Sequence, residues 1–70
     1  MTNIKVGMQF FDSYSGVHTI TGVEDEYIFH SYYDDNKRLV EGACMVRSVF
    51  ESLVERDVFW VVNNGGQDNE

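Results

Sequence analysis

The chain has no proline, one cysteine and only five basic residues. Each shortage excludes something. Without proline there is no stiff linker of the extended kind. A single thiol, Cys44, cannot close an intrachain disulfide, which points to a reducing compartment, most simply the cytoplasm. No apolar run reaches the roughly 18 residues of a membrane span, and no basic segment leads into an apolar one. Neither a span nor a signal peptide is therefore expected. Among the basic residues only Lys37 and Arg38 are adjacent, so no stripe exists for gripping phosphates, and direct nucleic-acid binding is not expected. The Gly65-Gly66 pair lies in a polar stretch with no helix after it, unlike a phosphate-cradling loop.

Aromatic and β-branched residues are what the chain has in plenty, and they come in short runs. Met8–Phe11, Val17–Val23 and Tyr27–Tyr33 read as three strands. Asp12-Ser13-Tyr14-Ser15-Gly16 joins the first two as a turn, since Asp and Ser bond nearby backbone and Gly accepts positive φ. Gly22 inside the second run suggests a bulge that turns Val23 inward with Ile20. In the third run Tyr27, Phe29 and Tyr33 share one face, and Ile28, His30 and Tyr32 the other. Apolar area on both faces suits a strongly curled sheet.

The remainder follows by the same signals. Met1–Lys5 is a lead-in, and Gly7 sets a turn. Asp34-Asp35-Asn36-Lys37 is a polar connection, and Arg38–Val46 is a fourth strand with a kink at Gly42-Ala43. Ser48 with Glu51 matches a capping box, placing Ser48 as N-cap. Val49, Phe50, Leu53 and Val54 then recur at helical spacing for about two turns. A helix this short needs a sheet to dock on. Val58–Val62 is the fifth strand. Its neighbours Phe59 and Trp60 point to opposite faces, so at most one fills the core. Residues 63–70 carry no apolar side chain and read as a disordered polar tail after one globular domain, 1–62. The expected class is α+β, mostly β, in the order β-β-β-β-α-β. It is either a small curled antiparallel sheet or a partial barrel resembling the SH3 type.

Few residues offer chemistry. His18, His30 and Cys44 are the good nitrogen and sulfur ligands, and no pair has the spacing of a structural zinc site. In a meander the two histidines fall on neighbouring strands, where the plain expectation is a hydrogen-bonded strand histidine. Cys44 reads as a packed strand residue. No catalytic residue, metal or cofactor is assigned, and no enzyme activity is expected.

Charge is the unusual property. Twelve Asp and Glu against five Lys and Arg leave a net charge of −7. Glu24-Asp25-Glu26 and Asp34-Asp35 occupy turns at opposite ends of the third strand, and Glu51 and Glu55 share a helix face. Acidity of this kind keeps a small protein soluble, and it also attracts basic surfaces. The stretches KVGMQFFDSYSGVHTITGV, EYIFHSYY and SVFESLVERDVFWVV, together spanning roughly residues 5–62, resemble very small bacteriophage- or prophage-encoded proteins. Compact acidic members of that kind inhibit host defence, as anti-CRISPR and anti-restriction proteins do, often by mimicking nucleic acid. The resemblance implies a non-catalytic DNA mimic that occupies a basic nucleic-acid site. Its contacts, chosen for charge and expected exposure, are Glu24, Asp25, Glu26, Asp34, Asp35, Glu51 and Glu55, with Tyr14, Tyr32 and Tyr33 as anchors. The alternative is an SH3-like interaction or assembly module, monomeric or homodimeric, formed through a strand edge or the Phe59-Trp60 region.

Overall fold

A computed structural model describes residues 3–64. Strands β1 (Met8–Asp12), β2 (Gly16–Val23), β3 (Tyr27–Tyr33) and β4 (Leu39–Val46) run as an antiparallel meander. Helix α1 (Arg47–Glu55) follows directly, and β5 (Phe59–Asn64) returns to pair antiparallel with β1. The result is one open five-stranded sheet in the order β4-β3-β2-β1-β5. The helix joins the two edge strands. The expected α+β class with a mostly β body therefore holds, as an open antiparallel sheet with one short helix.

The core lies between one face of the sheet and α1. Met8 and Phe10 from β1, Ile20 from β2, Ile28 from β3, Phe50 from α1 and Phe59 from β5 are buried there, with Ile4 from the lead-in closing one side. Phe10 is fully buried and is the hub. Its ring centroid lies 5.0 Å from those of Phe50 and Phe59 and 4.8 Å from that of His18, a stacked arrangement in the last case. Phe59 faces inward, while Trp60 lies on the opposite face and stacks on Phe11 at 5.7 Å.

Three bulges shape the sheet, one of them in β5, where Val62 is an extra residue between the pairs Gln9–Asn63 and Phe10–Val61. In β2, Thr21 is an extra residue between the pairs Ile20–His30 and Gly22–Phe29. Val23 thereby packs against the core beside Ile20, as the glycine suggested. Gly22 is required on steric grounds, since a Cβ there would come within 3.2 Å of the Phe29 ring. In β4, Glu41 and Gly42 together face Ser31, with Gly42 at φ +74, at the expected kink.

Two boundaries differ from expectation. Ser48 is not the N-cap: the cap is Val46, and no side chain caps the helix. The β3–β4 ladder runs straight into the helix, where the Arg47 amide donates to the Glu26 carbonyl at 2.8 Å. Glu51, freed from capping, turns to Arg47 instead, at 3.7 Å. Asn63 and Asn64 belong to β5 and not to the tail, because their backbone pairs with Gln9 and Met8. The rest of the expected tail, residues 65–70, lies outside the described residues.

The helix ends in a Schellman motif. The Val58 amide donates to the Leu53 carbonyl and the Asp57 amide to that of Val54, with Asp57 at φ +62. Asp57 thus holds a conformation that favours glycine, and it places a negative charge at the negative helix end. Asp57→Gly should raise the unfolding free energy by about 0.5–1 kcal/mol, read from urea midpoints. An unchanged or lower midpoint would refute this account of the cap.

Candidate functional site

Two features merit a functional reading: a buried polar line through the upper half of the sheet, and acidic residues at both of its ends. The polar line begins at the β1–β2 turn. The Asp12 carboxylate accepts the Tyr14 amide at 3.0 Å through Oδ1 and the Ser15 hydroxyl at 3.0 Å through Oδ2. Ser15 Oγ lies 3.0 Å from His18 Nε2, and His18 Nδ1 lies 3.0 Å from His30 Nδ1. Both imidazoles are buried, at 4% and 5% exposure. Tyr32 packs on His18 from one side, with centroids 4.5 Å apart, and Phe10 stacks from the other.

The bulge in β2 creates this contact. Directly opposed residues share a face. Were the register regular from the Gly22–Phe29 pair onward, His30 would pair with Thr21 and face outward with it, while His18 stayed inward with Ile20. With the bulge, His30 pairs with Ile20, so both rings enter the core two residues apart along the sheet.

Donor counting assigns the tautomers. Ser15 has one hydroxyl hydrogen, and it goes to Asp12. Ser15 Oγ must then accept from His18 Nε2–H. The bare His18 Nδ1 accepts in turn from His30 Nδ1–H. Hydrogen bonds therefore point one way, from His30 through His18 and Ser15 to Asp12. In this arrangement His18 does not take the Ser15 proton, so Ser15 is not primed as a nucleophile. Burial lowers the pKa of both histidines from the ordinary 6.5. The Asp12 charge partly opposes this for His18, and the nearby His18 adds to it for His30. Among the described residues, no three His, Cys, Asp or Glu converge as a metal-binding group. Cys44 is exposed and pairs across the sheet with Phe29, away from the histidines.

The acidic residues divide into two groups. At the β2–β3 end, Asp25 and Glu26 from the turn and Glu51 from α1 line a groove of about 340 Å³ with Val46, Arg47 and Ser48. Arg47 is engaged within the protein, donating from Nη1 to the Glu24 carbonyl at 3.2 Å as well as meeting Glu51. Glu24, Asp25 and Glu26 are exposed and have no cationic partner among the described residues. Asp34 and Asp35 sit at the other end of β3, roughly 25 Å away by strand length. Asp34 serves its own turn, accepting the amides of Asn36 and Arg38. Glu55 ends the helix and does not line the groove.

Among the tyrosines, Tyr14 is 93% exposed and Tyr33 63%. Tyr32 is not a free anchor, since its ring closes over His18. Sequence reasoning found neither the role of Arg47 nor the Asp12–Ser15–His18 line. The latter had a signal in the spacing of three between successive members, but its meaning depends on a turn and a bulge.

Comparison with family models, with curated proteins and with solved structures finds no match to this chain. Among the described residues, no helix is long and apolar enough to cross a membrane.

Ser15→Ala removes the acceptor for His18 Nε2–H and should cost about 1–3 kcal/mol in a urea melt at pH 7.5. A loss within error of zero would mean that the line carries no stability.

Proposed function

We propose that the protein is a non-catalytic acidic binding protein that occupies the basic nucleic-acid site of a host protein or complex. The observation that supports this reading is the groove at the β2–β3 end. Asp25, Glu26 and Glu51, from two elements, line it, and the one cation among them, Arg47, is engaged by the Glu24 carbonyl and by Glu51. The outward field of that end is therefore negative. A partly apolar floor at Val46 gives a basic side chain somewhere to lay its stem. Arginine on a partner is the best match, since its planar fork pairs with carboxylates bidentately. The most specific form of this function is a phage-type inhibitor, an anti-CRISPR or anti-restriction DNA mimic acting in the bacterial cytoplasm. The exposed, unpaired Cys44 suits such a reducing setting.

The SH3-like description belongs to the same proposal. It draws on β5 pairing beside β1, on the bulge in β2 and on the helix between β4 and β5.

Pull-down from host lysate tests the reading. Wild type should capture a nucleic-acid-binding complex, with DNA or RNA competing and salt weakening the capture. The double variant Asp25→Lys, Glu26→Lys should lose roughly tenfold or more in affinity, about 1.4 kcal/mol. Capture that ignores these substitutions, competitor and salt would end the mimicry reading.

One observation favours the alternative, an interaction or assembly module. The edge strand β5 carries no charged residue, and Trp60 and Val62 are about half exposed along it. An uncharged, apolar edge invites strand pairing. Light scattering at rising concentration should then give a dimer mass that Trp60→Lys returns to monomer. A monomer at every concentration would remove this reading.

A further inference from the structure

We propose that the facing imidazoles of His18 and His30 form an acid-sensitive latch, closed while a single hydrogen lies between their Nδ1 atoms and opened when a second arrives there. This holds whether or not the acidic groove binds a partner.

Two ring nitrogens 3.0 Å apart have room for one hydrogen between them. At neutral pH that hydrogen belongs to His30. A first added proton has one vacant basic atom to take, His30 Nε2, and leaves the contact intact. It does so by placing a positive charge beside the rings of Tyr32 and Phe10. A second proton has only His18 Nδ1, because His18 Nε2 already carries a hydrogen for Ser15. That sets N–H against N–H at a distance that holds one hydrogen, and the rings must separate.

The surroundings offer little relief. From β1 the facing charged group is Asp12, which reaches only the Nε2 side of His18, at 3.9 Å. From β3 the titratable neighbour is the Tyr32 ring. From β4 the residues paired with His30 and Tyr32 are Ala43 and Val40, neither of which titrates. Helix α1 and β5 present Phe50 and Phe59 behind Phe10.

The direction with pH follows. In the unfolded chain both histidines take up protons as pH falls through about 6.5. In the folded chain burial resists that uptake. Unfolding therefore binds protons below about pH 6.5, and stability, complete above that pH, is lost as the solution is acidified. The latch ties the β1–β2 turn to β3, so the end bearing Tyr14, Tyr33 and Asp34 loosens first. The opposite end keeps its own ties, the Arg47 amide to Glu26 and the packing of Phe50.

The full chain tests this by urea unfolding between pH 7.5 and 5.0, with nitrogen-resolved NMR of the imidazoles. At pH 7.5, His18 should carry its hydrogen on Nε2 and His30 on Nδ1. Between pH 6.5 and 5.5 the unfolding constant should rise at least about tenfold, the change for one proton per pH unit. His30→Asn keeps a polar amide near the Nδ1 position but cannot titrate, and should lower the proton uptake by about one. An unfolding constant flat across that range overturns the latch. So do tautomers other than these, two imidazoles titrating independently near 6.5 in the folded chain, or a His30→Asn variant with the wild-type pH slope. If His30→Asn does not fold, the tautomers and pH slope of the wild type decide.

Discussion

The ring of Phe10 is where the helix, the last strand and the middle of the sheet meet. It packs on Phe50 from the helix, on Phe59 from the last strand, and on both histidines from the middle of the sheet. Burying a phenylalanine contributes about 1.5–3 kcal/mol from transfer alone. In a chain of 70 residues that is a large share of a small total. Strand β1 lies between β2 and β5, so Phe10 is where the meander and the returning strand share one interior. The helix has no side-chain cap and is short; its docking through fully buried Phe50 is what holds it.

The same interior admits polar groups on strict terms. Histidine can lie against Phe10 because each ring is neutral, the two Nδ1 atoms share one hydrogen, and His18 Nε2 reaches Ser15. The line that satisfies them ends on a surface carboxylate, where water can reach. Such a line stabilises the sheet only while every link carries the right hydrogen. Fixed orientation and sensitivity to acid therefore arise from one arrangement.

Much of the architecture was legible in the residues. Tyr27–Tyr33 announced its bounds and faces, Gly22 its bulge, and Phe59-Trp60 its two-sided strand. The misses have physical causes. The Ser48–Glu51 pattern signalled a capping box, but the preceding ladder had already supplied a carbonyl to the helix start, leaving Glu51 to pair with Arg47. Asn63 and Asn64 read as tail because composition reports side chains, whereas an edge strand needs only backbone partners. The histidine contact was out of reach for a different reason. Period two fixes faces within a strand, and the single residue Thr21 resets the faces between strands. The acidic residues were found as a set, but a linear chain does not show that the turn and the helix bring some together while β3 holds others roughly 25 Å apart.

The pairing of β5 with β1 joins segments some fifty positions apart along the chain. Closing so long a loop is costly and slow compared with zipping the meander's hairpins. Until Phe59 arrives, Phe10 has an open flank, and the imidazoles behind it face water on that side. Synthesis must therefore pass β5 before the interior becomes dry. A nascent chain halted before Phe59 would present a three-hairpin intermediate with its aromatic centre uncovered, a natural point of attack for chaperones and proteases alike.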